Sequence, residues 1–143
     1  MHVLLVDDNE DDLILICDAL AQFGGRVHAD TVQCGEEAVA FLHGGEGRDA
    51  IRPDLVLLDI NMPRMNGFDV LGLIRGHPDT RNLPVLVLTT SDHPGDIQRA
   101  YADGANSYLC KPLDYKELVQ VMHQTLEYWS DTVRLPGLKA GEN

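Results

Sequence analysis

The chain of 143 residues has little that would staple it or anchor it to a membrane. Its three cysteines, Cys17, Cys34 and Cys110, are odd in number and form no C-x-x-C pair. That argues against a disulfide framework and a four-ligand zinc site. Each sits among apolar neighbours and reads as a buried, reduced thiol. Six histidines are scattered without H-E-x-x-H or similar ligand spacing. No apolar run approaches the ~20 residues that cross a bilayer, and the N-terminus enters a strand-like run without a signal segment. No membrane contact and a cytoplasmic location are therefore expected. Basic charge is scarce as well: 11 Lys and Arg face 23 Asp and Glu, for a net charge of -12. A nucleic-acid backbone repels that sign, so no nucleic-acid partner is expected. Most of the acid reads as solvated surface. The local run Asp7-Asp8-Asn9-Glu10-Asp11-Asp12 asks for more.

What is present suits one compact core: 44% hydrophobic and 24% charged residues at an ordinary domain length. Short apolar runs alternate with helix-period segments. Residues 3–6, 54–59 and 85–88 read as buried strands, 27–32 as an edge strand and 107–110 as a fifth. Leu13, Ile16, Cys17, Leu20 and Phe23 mark a first helix, and residues 36–43 a second. Phe68, Leu71 and Ile74 mark a third, and Ile97, Ala100 and Tyr101 a fourth. Tyr115, Leu118, Val119, Met122, Leu126 and Trp129 share one face of a long last helix, with Asp114 and Glu117 placed as a capping box. Five strands alternating with five helices predict an α/β fold, a parallel sheet covered on both faces. The flavodoxin-like order 2-1-3-4-5 is the simplest doubly wound arrangement. Residues 130–143, with Pro136, Gly137 and Gly141, read as an irregular tail.

Polar residues collect at one edge of that sheet. Asp7 and Asp8 end the first strand, Asp59 the third and Thr89 the fourth, while Lys111 follows the fifth. The carboxyl edge is where open α/β sheets bind ligands. Close carboxylates repel unless a cation compensates, and all-oxygen donors favour Mg²⁺ or Ca²⁺. Mg²⁺ with few carboxylates suits phosphoryl transfer, and a carboxylate can itself be the nucleophile, giving an acyl phosphate. Lys111 and Thr89 would neutralise the transferred group from the other side.

Asp7-Asp8, the run Leu58-Asp59-Ile60-Asn61-Met62-Pro63 with Gly67, Thr89, and Lys111-Pro112 resemble the signature of response-regulator receiver domains. The match covers about residues 1–128. The resemblance implies that Asp59 is the phosphoacceptor and that Mg²⁺ is held by Asp59, Asp8, the Asn61 backbone carbonyl and, through water, Asp7. Thr89 and Lys111 would contact phosphoryl oxygens. Tyr108, a packing residue on its own evidence, matches the aromatic switch position that follows Thr89. The resemblance also implies a cis bond between Lys111 and Pro112. Asp11 and Asp12 read as first-turn residues favoured by the helix dipole rather than as metal ligands. Asn61 and Ser91 flank the water approach and would tune the phosphoryl lifetime.

Residues 1–129 are then a receiver and 130–143 a tail without an output domain, so output passes by protein contact. Arg99, Tyr101, Tyr108, Tyr115 and Lys116 are the candidate output face, towards a downstream protein that the sequence does not name. The Asp-Asn-x-x-Asp start, the long connection at 44–52, Leu88-Thr89-Thr90-Ser91 and the tail from Trp129 are similar to regulators paired with phytochrome kinases. That similarity implies a bacteriophytochrome-type sensor histidine kinase as donor and a homodimer assisted by the tail. A receiver serving an unrelated kinase stays open at this point. A haloacid-dehalogenase-type phosphatase shares the Asp, Thr, Lys and Mg²⁺ set, but needs an acid two residues after its nucleophile. Asn61 cannot serve there. A pseudo-receiver, which keeps the fold without phosphorylation, finds no support while all five signature residues are present. The chain is thus expected to be a phosphoacceptor and not an enzyme with turnover of its own.

Overall fold

The computed structural model describes residues 1–45, 47 and 49–136. Five parallel strands, β1 (His2–Val6), β2 (His28–Val32), β3 (Leu55–Leu58), β4 (Val85–Thr89) and β5 (Ser107–Cys110), form one sheet in the order β2-β1-β3-β4-β5. Helices α1 (Glu10–Ala21), α2 (Gly35–His43), α3 (Gly67–Gly76), α4 (Pro94–Ala102) and α5 (Tyr115–Glu127) alternate with them. This is the flavodoxin-like order expected as the simplest doubly wound arrangement.

Strand alternation divides the core. Val3, Leu5, Leu55, Leu57, Leu86 and Leu88 point to the side of α1 and α5, where Ile16, Leu20, Met122 and Leu126 meet them. Leu4, Val6, Val56, Leu58, Val85 and Val87 point the other way, onto Ala38, Phe41, Leu71 and Ile74 of α2 and α3. Both faces are buried, so the central strands read as continuous apolar runs. The edge strand β2 has only Val32 buried, which explains its weak sequence signal.

Helix starts are fixed by side chains in the loops that follow the strands. Asn9 accepts from the Asp12 amide, and Asn66 and Asp69 form a reciprocal capping box. Asp114 accepts from the amides of Lys116 and Glu117.

Several expectations are corrected. Cys110 is exposed rather than buried, because it ends an edge strand. Tyr101 and Tyr115 are 51% and 45% exposed, since each opens towards solvent beside a buried neighbour, Ala100 and Leu118. The first part of the expected tail is ordered: Tyr128–Thr132 form a π-helical turn, held by Asp131 to Arg26 at 3.0 and 3.1 Å and by Trp129 against the α1/α5 core. Residues 137–143 of that tail lie outside the described residues, as do 46 and 48 of the connection at 44–52.

Candidate functional site

The sheet delivers the acids to one edge. The Asp7 amide donates to Val32 O at 3.1 Å and the Asp59 amide to Val6 O at 2.9 Å, so both residues continue the strand ladder to its end. The Lys111 amide donates to Thr89 O at 2.7 Å, which sets Lys111 beside the end of β4. Glycine makes one approach feasible. A Cβ on Gly67 would collide with the Asp59 carbonyl oxygen and the Ile60 Cα. The start of α3 therefore packs directly on the backbone of Asp59.

Carboxylate oxygens of Asp7, Asp8 and Asp59 all lie within 4.8 Å of one another, with Asp7 and Asp59 buried and Asp8 exposed. Lys111 Nζ, itself buried, donates to Asp7, lies 3.0 Å from Asp12 Oδ2 and 3.8 Å from Asp59 Oδ2. Burial pushes the Asp7 carboxyl up to about 6, and Asp59 adds to the rise. Lys111 and the Asn9 amide pull against that shift without cancelling it. Burial works against the Lys111 charge too, yet Asp7, Asp59 and Asp12 hold its pKa above the ordinary lysine value. Three carboxylates thus share one ammonium, and Asp8 lies close to two of them. Hard oxygen donors so spaced, with one exposed to solvent, suit a divalent cation that keeps part of its water.

The remaining predicted residues are near. Asn61 donates from its backbone to Asp59 Oδ1 at 3.2 Å and from Nδ2 to the Thr89 hydroxyl at 3.4 Å. Thr89 is fully buried, and its hydroxyl also accepts from the Ser91 amide at 3.5 Å. Tyr108 is half-buried against the α2/α3 core, and its hydroxyl donates to Ser91 O at 2.9 Å. Arg99 lies over the Phe68 ring at 4.1 Å and pairs with Asp103 at 3.5 Å. Tyr101, Tyr115 and Lys116 are exposed.

These contacts place the acids, Thr89 and Lys111 at one edge, as expected, with Tyr108 one loop away. Two differences stand out. Among the described residues no peptide bond is cis, so Lys111–Pro112 is trans. The trans form of X-Pro is favoured by about 0.5–1 kcal/mol, and here it already carries Nζ to Asp7 and Asp12 while leaving Leu113 exposed. Asp12 is not just a first-turn charge, because it reaches Lys111. Its signal was available: it stands four residues before the buried Ile16, on the border of the core stripe.

Residues 3–123 match the family model described as the response regulator receiver domain. The chain belongs to the response-regulator receiver family. This receiver is 37% identical over 135 residues to the probable methanogenesis regulatory protein FilR2 of Methanothrix harundinacea, covering 94% of this chain and 87% of FilR2. It is 36% identical to response regulator Rcp1 of Synechocystis sp., covering 94% of this chain and 92% of Rcp1. Among solved structures it superposes on the phosphorylated cyanobacterial phytochrome response regulator RcpA with a TM-score of 0.89 at 39% identity, covering 94% and 97% of the two chains. The Mn²⁺-bound form of Rcp1 matches with a TM-score of 0.88 at 35% identity, covering 94% and 98%. The receiver is therefore a two-component response regulator related to phytochrome regulators. Receivers of this family take phosphoryl groups from histidine kinases. No helix among the described residues is long and apolar enough to cross a membrane.

Proposed function

We propose that this receiver accepts a phosphoryl group on Asp59 from a bacteriophytochrome-type histidine kinase and signals by protein contact. The observation that supports it is the group of three carboxylates within 4.8 Å, with Lys111 beside them. A carboxylate oxygen of Asp59 donates its electron pair to phosphorus. The P–N bond to the kinase imidazole breaks, and its electron pair returns to that nitrogen. Lys111 and the Thr89 hydroxyl meet the equatorial oxygens.

Mg²⁺, held by Asp8, Asp59, the Asn61 carbonyl and, through water, Asp7, would supply charge neutralisation of the transferred group. Asn61 and Ser91 flank the approach of the hydrolytic water and set the phosphoryl lifetime. The chain turns over no other substrate. Thr89 and Tyr108 carry the switch: as Thr89 moves to the phosphoryl, Tyr108 exchanges its Ser91 contact for a position further inside. The face formed by Arg99, Tyr101, Tyr115 and Lys116 then presents a changed surface to a downstream protein. Residues 1–129 act as the receiver, in the cytoplasm, and the tail at 130–143 supports a homodimer. RcpA and Rcp1 support the phytochrome partner and the divalent cation.

Intact-mass measurement after incubation with acetyl phosphate and Mg²⁺ tests the acceptor. One added phosphoryl is expected, absent in Asp59→Asn and absent with EDTA. A phosphoryl that survives either change overturns the corresponding role. Phosphotransfer from a panel of histidine kinases tests the donor, and equal transfer from all of them would remove the phytochrome assignment.

A further inference from the structure

We propose that Asp12 is a positioning residue for phosphoryl transfer: with Asp7 it holds the Lys111 ammonium beyond hydrogen-bond distance of Asp59 until a phosphoryl group competes for it. This rests on Asp59 being the phosphoacceptor. Lysine offers three donors on a flexible stem and no acceptor. Asp7 and Asp12 lie within hydrogen-bond distance of Nζ, whereas Asp59 Oδ2 stands at 3.8 Å. The two acids that bracket the start of α1 hydrogen-bond the ammonium, whereas the nucleophile meets it only as a longer ion pair.

Asp12 is firmly based. Its amide donates to Asn9 Oδ1 at 3.1 Å, which fixes its backbone in the first turn of α1. The helix dipole alone does not explain the contact. Glu10 and Asp11 occupy the same turn, are exposed, and satisfy the dipole without reaching Lys111.

Exposure decides which partner can be exchanged. The Asp7 side chain is 5% exposed and that of Asp12 is 26% exposed. When Lys111 turns to a phosphoryl oxygen, the partly exposed Asp12 regains water, whereas burial keeps water from replacing the ammonium contact that Asp7 would lose. Asp12 is therefore the contact that gives way. While it holds, it withholds one ammonium donor from the incoming phosphoryl oxygens and adds a negative charge beside them.

The test compares the wild type, Asp12→Asn, Asp12→Glu, Lys111→Met and Asp12→Asn/Lys111→Met. Phosphorylation of Asp59 by acetyl phosphate at saturating Mg²⁺ is expected to be faster by a factor of about three in Asp12→Asn. Asp12→Glu should return it towards the wild-type rate, and Mn²⁺ affinity in Asp12→Asn should stay within about threefold of wild type, since Asp12 is not a ligand. In the Lys111→Met background the acceleration should disappear.

A wild-type or slower rate in Asp12→Asn, or the same acceleration without Lys111, overturns the proposal. Should Lys111→Met be too slow to time, melting of the metal-free chains supplies the same cycle, with a coupling of about 2 °C or more expected and additivity overturning it. Failure of the wild type itself to take a phosphoryl overturns the phosphoacceptor reading and this proposal with it. A phosphorylated wild type with independent Asp12 and Lys111 effects overturns this proposal only.

Discussion

The two ends of the sheet are built from the same strand–helix unit and treat polar groups in opposite ways. At the amino edge, Arg75 of α3 closes the loops that lead into β4 and β5. It donates to Gly104 O from Nε and Nη2, to Arg81 O and Leu83 O from Nη1, and to Asn106 Oδ1, all at 2.7 to 3.1 Å. Nearby, the His43 and His77 rings stack at 4.2 Å. The Thr80 hydroxyl donates to Ile74 O and so accepts from His43 Nε2. At the carboxyl edge, Asp7, Asp12 and Asp59 surround one ammonium, and an Asp8 oxygen lies within 4.8 Å of Asp7 and Asp59. The amino edge is electrostatically finished, whereas the carboxyl edge holds an excess of negative charge that only a cation can relieve. A fold can place its stability and its function at opposite ends because solvent screens charges from one another beyond about 10 Å.

Breaking the finished end should cost most. Arg75→Ala leaves several carbonyls without their donor and should lose about 2–4 kcal/mol of stability, read as a lower midpoint in urea unfolding. Its response to divalent cations should stay that of the wild type. The opposite end should respond to the cation itself. Mg²⁺ or Mn²⁺ at about 100 times its dissociation constant should add about 2.7 kcal/mol. EDTA should reverse the gain, and Asp7→Asn should lose most of it. A wild-type response in Asp7→Asn would dissolve the distinction between the ends.

The smallest effects differ in sign. In EDTA, Asp7 is held near pH 6 against an ordinary 3.8 by burial, so the folded chain favours its protonated form. That contribution is complete below pH 3.8 and is lost as pH rises through 6. Asp7→Asn should therefore gain on the wild type between those values in thermal unfolding. Burial, with His77 and Arg52 beside it, pushes His43 below the ordinary 6.5. Its contribution is complete above that pH and is lost on acidification, so His43→Gln should flatten an acid-side loss. Parallel pH slopes in the two variants would contradict the comparison.

Much of this was legible beforehand, for identifiable reasons. Leu55–Leu58 and Val85–Thr89 are buried on both faces, so their apolar runs announced central strands and the acids that follow them announced the ligand edge. Gly67 could be read as a loop-shaping residue, but its contact with the Asp59 backbone could not, because a glycine does not say what approaches it. Tyr101 and Tyr115 occupy helical positions that matched a core stripe, yet short amphipathic helices leave their border residues to the packing. Cys110 shows the same for an edge strand.

The alternation of strands and helices, the identity of the acids, Thr89 and Lys111, and their place at strand ends are all written in the residue order. Those are local properties, set by periodicity and by where apolar runs stop. Packing of distant segments was needed to divide Lys111 between Asp7 and Asp12 while it stands 3.8 Å from Asp59. The same packing lets Arg75 seal the opposite edge and turns Tyr128–Thr132 back towards Arg26. A side chain with several partners within reach chooses among them by burial and distance, and those are fixed only when distant segments meet.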